Sequence, residues 1–242
     1  MISKIKLGMP HLTYHGLDQI WLLKQLGHNH WSMLSSGPAL SKDNERLYAS
    51  FFCLNLNFNQ GQHLYQENDT VTVDSKLFKY NAQIYRSVHT VANERNVTTA
   101  TLDSVFVKKN MTTNELVRDD PHSHINEIEK IDQVFLDEHK KLKKQLRTEH
   151  LTDSLVRLQF NPETQFNAVK ILYFANYLNL VSQTEHEFFP GIKDPIKDVT
   201  VYYFANIGVD DTVYGNTELV DGVYSTKLIA NNRVIALCNI KR

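Results

Sequence analysis

The chain has 242 residues, 42% of them hydrophobic and 22% charged, a globular balance that excludes global disorder. Lys+Arg 26 against Asp+Glu 27 leave a net charge of −1, which argues against a nucleic-acid surface spread over the whole molecule. Two cysteines, Cys53 and Cys238, make no secreted disulfide framework. No run approaches the ~18 apolar residues of a membrane span, and the opening MISKIKLGMPHLTYHGL lacks the apolar core of a signal peptide. A soluble, cytoplasmic protein with no nucleic-acid or membrane partner is expected.

The first predicted element is an apolar helix over residues 16–34. Leu17, Ile20, Trp21, Leu22, Leu23, Leu26, Trp31, Met33 and Leu34 cover much of its circumference, so it must be buried on most sides. Strand formers follow over residues 47–58, 69–91 and 96–108, where Val, Thr, Phe and Tyr alternate with polar residues as in half-buried antiparallel strands. Residues 121–147 read as one polar amphipathic helix with Pro121 in its first turn. Its run Lys140-Lys141-Leu142-Lys143-Lys144 reads first as a solvated face and second as a docking patch for an acidic partner. A second apolar helix is predicted over 166–188. Strands over 198–204, 211–220, 222–229 and 232–240 come after it, the last two joined at Asn231-Asn232.

The two halves repeat one order: buried helix, aromatic strand, a strand opening with Asp-Thr-Val, then further strands. Asp69-Thr70-Val71 and Asp211-Thr212-Val213 hold equivalent places, which reads as an internal duplication. By analogy, a long helix cradled in an antiparallel sheet and repeated once is an α+β double hot dog. The halves are placed at residues 1–120 and 149–242, with a connecting helix at 121–148.

Tyr173-Phe174-Ala175-Asn176-Tyr177-Leu178, with Glu185 and Glu187 beyond it, resembles the central-helix signature of hot-dog acyl-CoA thioesterases. That resemblance implies a catalytic carboxylate a few residues earlier. The matching position is Asn167, whose amide cannot take a proton from water at neutral pH. Gly8-Met9-Pro10-His11, the stretch GLDQIWLLKQLG from Gly16 to Gly27, and His30-Trp31 are similar to the double hot-dog acyltransferase/decarboxylase family of the leinamycin type. Leu47-Tyr48-Ala49-Ser50-Phe51-Phe52, Phe166-Asn167 and Leu172-Tyr173-Phe174-Ala175 continue the likeness. This second resemblance implies transfer of a (methyl)malonyl-derived acyl group from coenzyme A to an acyl carrier protein, with decarboxylation, in polyketide-type biosynthesis. It implies Tyr48 as the functional residue, a coenzyme A thioester as substrate and no tightly bound cofactor. The implied partners are acyl-CoA and a phosphopantetheinylated acyl carrier protein, and a homodimer is left open.

Loss of CO₂ from a malonyl thioester leaves an enolate whose oxygen needs hydrogen-bond donors. Tyr48 and Ser50, two residues apart and so on one strand face, can supply them. Asn167, at the start of the second predicted helix, is another donor. Catalytic roles therefore fall to Tyr48 and Asn167, and substrate contacts to Ser50, His11, Asp18 and Gln19. No metal site is expected, because the pairs His11/His15, His28/His30 and His122/His124 lack a third ligand in a recognised motif. Each residue also has a structural reading: Tyr48 as a strand-end aromatic, Asn167 as a helix N-cap, Asp18 as a first-turn carboxylate, Cys53 as a buried thiol. Two alternative functions stay open. One is a hot-dog dehydratase or thioesterase, for which His11, Asp18 and Glu185 are the nearby groups; the other is a non-catalytic module that binds an acyl thioester or carrier protein. Aligning Phe51-Phe52 with Tyr202-Tyr203 sets Val199 opposite Tyr48 and predicts a working site centred on the first-half strand alone.

Overall fold

The structure, a computed structural model, describes residues 1–81, 83–110, 116–131, 136–147 and 154–242. In chain order the main elements are β1 (Ile2–Lys6), α1 (Gln19–Leu34), β2 (Tyr48–Asn57), β3 (Thr70–Lys79), β4 (Ile84–Ala92) and β5 (Val97–Lys109). They continue with α2 (Leu136–Arg147), β6 (Val156–Arg157), α3 (Tyr177–Phe188), β7 (Asp198–Tyr203), β8 (Val213–Val220), β9 (Val223–Ala230) and β10 (Arg233–Lys241). The strands join in one sheet in the order β1-β3-β4-β5-β2-β7-β10-β9-β8-β6. Short strands at Leu116–Arg118 and Glu129–Lys130 add to β5 and β3.

That order reads alike from either end, because each half follows its helix with four strands in the same sequence and carries a short strand at its edge. The halves meet where β2 pairs antiparallel with β7, from Asp198↔Asn57 to Tyr202↔Cys53. Tight hairpins drive the local pairing: Asp221 and Gly222 (φ 50° and 78°) link β8 to β9, and Asn231 and Asn232 (φ 52° and 56°) link β9 to β10. Two consecutive left-handed residues give the turn whose twist matches its strands, and Asn, Asp and Gly tolerate that conformation best.

One core fills the concave side of the sheet. Leu22, Leu26, Leu178 and Val181 from the two helices interlock there with Leu54, Leu56, Val199 and Val201 from the central strands. α1 buries one broad stripe and exposes Lys24, His28 and Ser32. It is shorter than the apolar run implied, because Asp18 ends the preceding chain as an N-cap and accepts from Ile20 N and Trp21 N. Gly27 lies in the interior of this helix, where glycine costs about 1 kcal/mol relative to alanine. The reason is proximity: a Cβ at Gly27 would lie 2.7 Å from Phe174 Cε1 and 3.0 Å from Tyr173 Oη.

Two predicted helices differ from the structure. The second apolar helix does not span 166–188 but starts at Tyr177. Lys170 takes a left-handed φ of 61° and the Asn167 side chain accepts backbone N–H groups at Val169 and Ile171, so the segment turns back on itself instead. Residues 121–131 are not helical either, and Pro121 starts no helix. Ser123–Ile125 pairs with Ser35–Leu40, and His122 N, Asn126 N and Ile131 N donate to Leu40, Leu34 and Lys79 carbonyls. Open sheet edges offered this segment partners that a lone polar helix lacks. Among the described residues of the expected connecting helix only α2 is helical, and residues 132–135 and 148 lie outside the described ones.

Under α1 the core contains a continuous chain of polar groups. Gln25 Nε2 donates to Asn29 Oδ1, and Asn29 Nδ2 to Ser75 Oγ, both at 3.1 Å. Ser75 Oγ meets His89 Nδ1 at 2.8 Å, and Ser87 Oγ lies 2.7 Å from both His89 Nε2 and His30 Nδ1. His30 Nε2 closes the chain on Ser104 Oγ at 2.8 Å. Each ring can donate from one nitrogen and accept at the other, so the buried groups are satisfied with both histidines neutral. His30 thus spends both nitrogens on serines, while His28 points to solvent.

Burial pushes the pKa of both His30 and His89 down to about 3. The unfolded chain, with histidines near 6.5, takes up protons that the native chain refuses. Stability should therefore fall as pH drops from 6.5 towards 3, by up to about 1.4 kcal/mol per pH unit for each histidine. Urea unfolding between pH 7 and pH 4 measures this, and a flat profile would show that the rings accept protons in the native state. In a separate test, Gly27→Ala should lower the urea-unfolding free energy by about 1–3 kcal/mol despite its better helix propensity. Unchanged or increased stability would mean that the Phe174 ring is not held against the helix.

Candidate functional site

Strand β2 outruns β7. Their pairing stops at Cys53↔Tyr202, so among the described residues Tyr48, Ala49, Ser50 and Phe51 have ladder partners in β5 alone. β2 also carries a bulge between Phe51 and Cys53, a device that bends a strand and re-aims its side chains. Beyond β7, Phe204 N and Ala205 N both turn to the carbonyl of Ile235 on β10 rather than continue along β2. The gap left by this split is a cavity of about 210 Å³. Trp31 at the end of α1 lines it, as do Tyr48, Ser50 and Phe51 of β2, and Tyr173 and Tyr177 at the approach to α3.

The structure brings Tyr48, Ser50 and Asn167 together around this one chamber. The Tyr48 and Ser50 hydroxyls make no hydrogen bond to another described residue, which leaves them available to a ligand. Arg46 lies with its guanidinium carbon 5.3 Å from the centroid of the Tyr48 ring and is the sole charged side chain among the described residues lining the chamber. Asn167 is not the helix cap that the sequence suggested. It sits ten residues before α3, in a turn where Phe166 bridges Leu172, and its Oδ1 accepts Val169 N and Ile171 N at 3.1 Å each. Asn167 is exposed, and its Nδ2 is a hydrogen-bond donor at the chamber wall.

Aromatic residues to which the sequence assigned no site role build the rest of the wall. Tyr203 donates to the Phe174 carbonyl at 3.1 Å and Tyr177 to the Ala205 carbonyl at 3.3 Å, which ties the loop after β7 to the approach of α3. Burial pushes both phenols well above their ordinary pKa, and raises that of Tyr173 to about 12. All three stay neutral near pH 7. Tyr173 and Tyr177 lie in the segment that carries the thioesterase resemblance; Tyr203 and Asn206 have no local sequence signal, since only the split in the sheet places them here.

A polar cavity of about 600 Å³ adjoins the chamber and shares Leu116, Ile171 and Asn206 with it. Asp210, Asp211, Asn231 and Arg233 supply its polar wall. The two spaces lie side by side, an apolar chamber and a polar vestibule that share this wall.

His11, Asp18 and Gln19 are not among the residues around the chamber. α1 runs opposite to α3, so its first turn lies at the other end of the core. Asp18 is spent on capping α1, and His11 Nδ1 accepts Gly8 N at 2.9 Å while its ring rests 4.5 Å from that of Trp21. Gln19 lines a separate cavity of about 240 Å³ with His15, Glu185, His186 and Arg242. Glu185 is buried there against Arg242 at 2.5 Å; burial raises its pKa and the guanidinium opposes the rise. Glu187 is exposed. Cys53 is buried, and burial pushes its thiol up to about 12, so it is no nucleophile. Val199 is not the counterpart of Tyr48: it is fully buried, paired with Leu56 and Ile240 at the far end of the central ladder. Among the described residues no cluster of three His, Cys, Asp or Glu could hold a metal ion.

No protein-family model matches the chain, and no curated protein matches its sequence. Solved structures do match its shape. The 12:0-ACP thioesterase from Umbellularia californica superposes with a TM-score of 0.69 at 11% identity, covering 100% of this chain and 96% of that one. An acyl-ACP thioesterase from Bacteroides thetaiotaomicron VPI-5482 gives 0.66 at 11% identity with the same coverages. A MaoC-like dehydratase from Phytophthora capsici gives 0.52 at 9% identity over 80% of this chain and 72% of that one. The fold is a double hot dog. No described helix is long and apolar enough to cross a membrane.

Proposed function

We propose that this double hot-dog chain is an acyl-thioester enzyme that decarboxylates and transfers a (methyl)malonyl-derived acyl group from coenzyme A to an acyl carrier protein. The observation that carries this reading is the chamber's chemistry. Its described lining offers free hydroxyls at Tyr48 and Ser50 and the Asn167 amide, with no carboxylate and no imidazole. Hydrolysis and dehydration need a positioned base. Decarboxylation needs donors at the thioester oxygen: the bond to CO₂ breaks, its electron pair enters the enolate, and a proton then returns to the α-carbon. Transfer follows when the carrier's thiol replaces that of coenzyme A at the acyl carbonyl. The acyl thioester is substrate, and no resident cofactor or metal is required by this chemistry.

A second reading, as a thioesterase or dehydratase, is favoured by the shape neighbours, whose names place them among such enzymes. Incubation with malonyl- and methylmalonyl-CoA, with and without a holo-carrier, separates the readings by mass spectrometry. Decarboxylated acyl-carrier supports the first and free acid or dehydrated product the second; an unchanged thioester would leave only a binding role.

Two substitutions sharpen the test. Tyr48→Phe should keep the fold and thioester binding while lowering turnover by roughly a hundredfold or more, the scale of one lost oxyanion donor. Full activity in a folded Tyr48→Phe protein would remove Tyr48 from the mechanism. Asn167→Asp preserves the two N–H acceptor contacts of the turn and puts a carboxylate at the chamber wall, so release of free acid should rise at least tenfold over the parent. A parent that already hydrolyses thioesters at enzymatic rates would hand the assignment to the second reading.

A further inference from the structure

We propose that the exposed lysine face of α2 docks an acidic acyl carrier protein beside the vestibule, so that its phosphopantetheine arm enters the chamber from there. The proposal rests on the acyl-thioester reading and adds to it the surface that receives the partner. α2 lies against the outer face of the sheet. His139 packs 5.2 Å from Phe52 and 5.3 Å from Phe204 by ring centroids, its Nε2 meets the Tyr203 carbonyl at 3.2 Å, and Leu142 and Leu146 join the same apolar cluster. Tyr202 donates to Glu138 at 3.2 Å. With residues 139, 142 and 146 turned inward at helical spacing, Lys140, Lys141 and Lys144 are left on the exposed face. Among the described residues Lys140 is paired only within its own helix, to Asp137 at 3.8 Å, a solvent-exposed contact that an incoming anion can displace.

The position of this face matters as much as its charge. Lys143 Nζ donates to the Phe204 carbonyl at 3.2 Å, and Phe204 itself lines the vestibule. The helix therefore sits at the vestibule's rim. The chain as a whole carries −1, so four lysines within residues 140–144 are a local concentration, of the kind that steers an oppositely charged protein to one spot. The vestibule and the chamber share Asn206 in their walls. Asn206 and Asn231 offer the donors and acceptors that the amides of a pantetheine arm require, and the aromatic chamber accepts an acyl end. An acidic carrier protein with its arm satisfies both the surface and the passage.

The test uses the full chain, a fluorescently labelled acidic holo-acyl carrier protein, and methylmalonyl-pantetheine as a thioester without a protein. Reversal of the three exposed lysines (Lys140→Glu, Lys141→Glu, Lys144→Glu) should weaken carrier binding at least tenfold and remove most of its dependence on NaCl. Turnover of methylmalonyl-pantetheine should stay within twofold of the parent. The control reversal Lys4→Glu, Lys6→Glu, Lys76→Glu, on β1 and β3, changes net charge equally and should leave carrier binding intact. The proposal is overturned if the parent does not bind the carrier, if the α2 variant binds it as the parent does, or if the control loses as much. An inert methylmalonyl-pantetheine with an intact, α2-dependent carrier complex would instead count against the catalytic reading alone.

Discussion

The ladder between β2 and β7 holds five residue pairs, from Asp198↔Asn57 to Tyr202↔Cys53, and the placement of the helices and the cavities follows from it. Asn57 Nδ2 reaches Asp198 Oδ2 at 2.8 Å and Asn55 Nδ2 reaches Thr200 Oγ1 at 3.0 Å, which helps to fix the register across the join. A slip of one residue would turn either Leu54 and Leu56 or Val199 and Val201 away from the helices, at a cost of about 1.5–3 kcal/mol for each side chain exposed. With the register fixed, the two halves face each other in opposite directions and so do their helices. Each helix start then meets the other's end, and a cavity lies at both places.

The two ends have taken different chemistry. At the approach to α3 the walls are phenols, a serine hydroxyl and amides, with Arg46 the one charged side chain among the described lining, and burial pushes the phenols of Tyr173, Tyr177 and Tyr203 further up. At the start of α1 the Glu185–Arg242 pair occupies the corresponding position, with both side chains withdrawn from water. Desolvating two charges offsets much of their attraction, so this pair is a poor source of stability and a firm constraint on geometry. A duplicated fold can carry two ends of different chemistry because the core lies between them, on the helices and central strands.

Polar groups inside that core are also selective about where they sit. Ser75, Ser87 and Ser104 occupy inward positions on β3, β4 and β5 that would usually be apolar, and His30, His89 and Asn29 satisfy them. A change at one member leaves its neighbour unpaired in a dry interior, which costs about 1–3 kcal/mol. The network thereby pins α1 to the three strands it crosses. On the opposite face of the sheet, His139, Leu142 and Leu146 give α2 a single apolar stripe, enough to seat it while leaving its lysines outside.

The sequence by itself determined the four long strands of each half, both buried helices as core elements, the Asn231-Asn232 turn and the repeated element order, since each rests on local periodicity or on a turn conformation few residues tolerate; the edge strands β1 and β6 carried no such signal. It also put Tyr48 and Ser50 on one strand face, and the period of two carries that into the chamber. The helix starts were less legible: Asn167 competes for backbone N–H groups as readily in a turn as at a cap, and only the contacts of Phe166 with Leu172 decide which. Residues 121–131 have a helical pattern that open sheet edges overrode. Tertiary structure alone decided that His11, Asp18 and Gln19 lie far from Tyr48, and that Tyr203 and Asn206 lie near it. Helix direction and the early end of β7 are properties of how distant segments pack, and no local pattern of side chains encodes them.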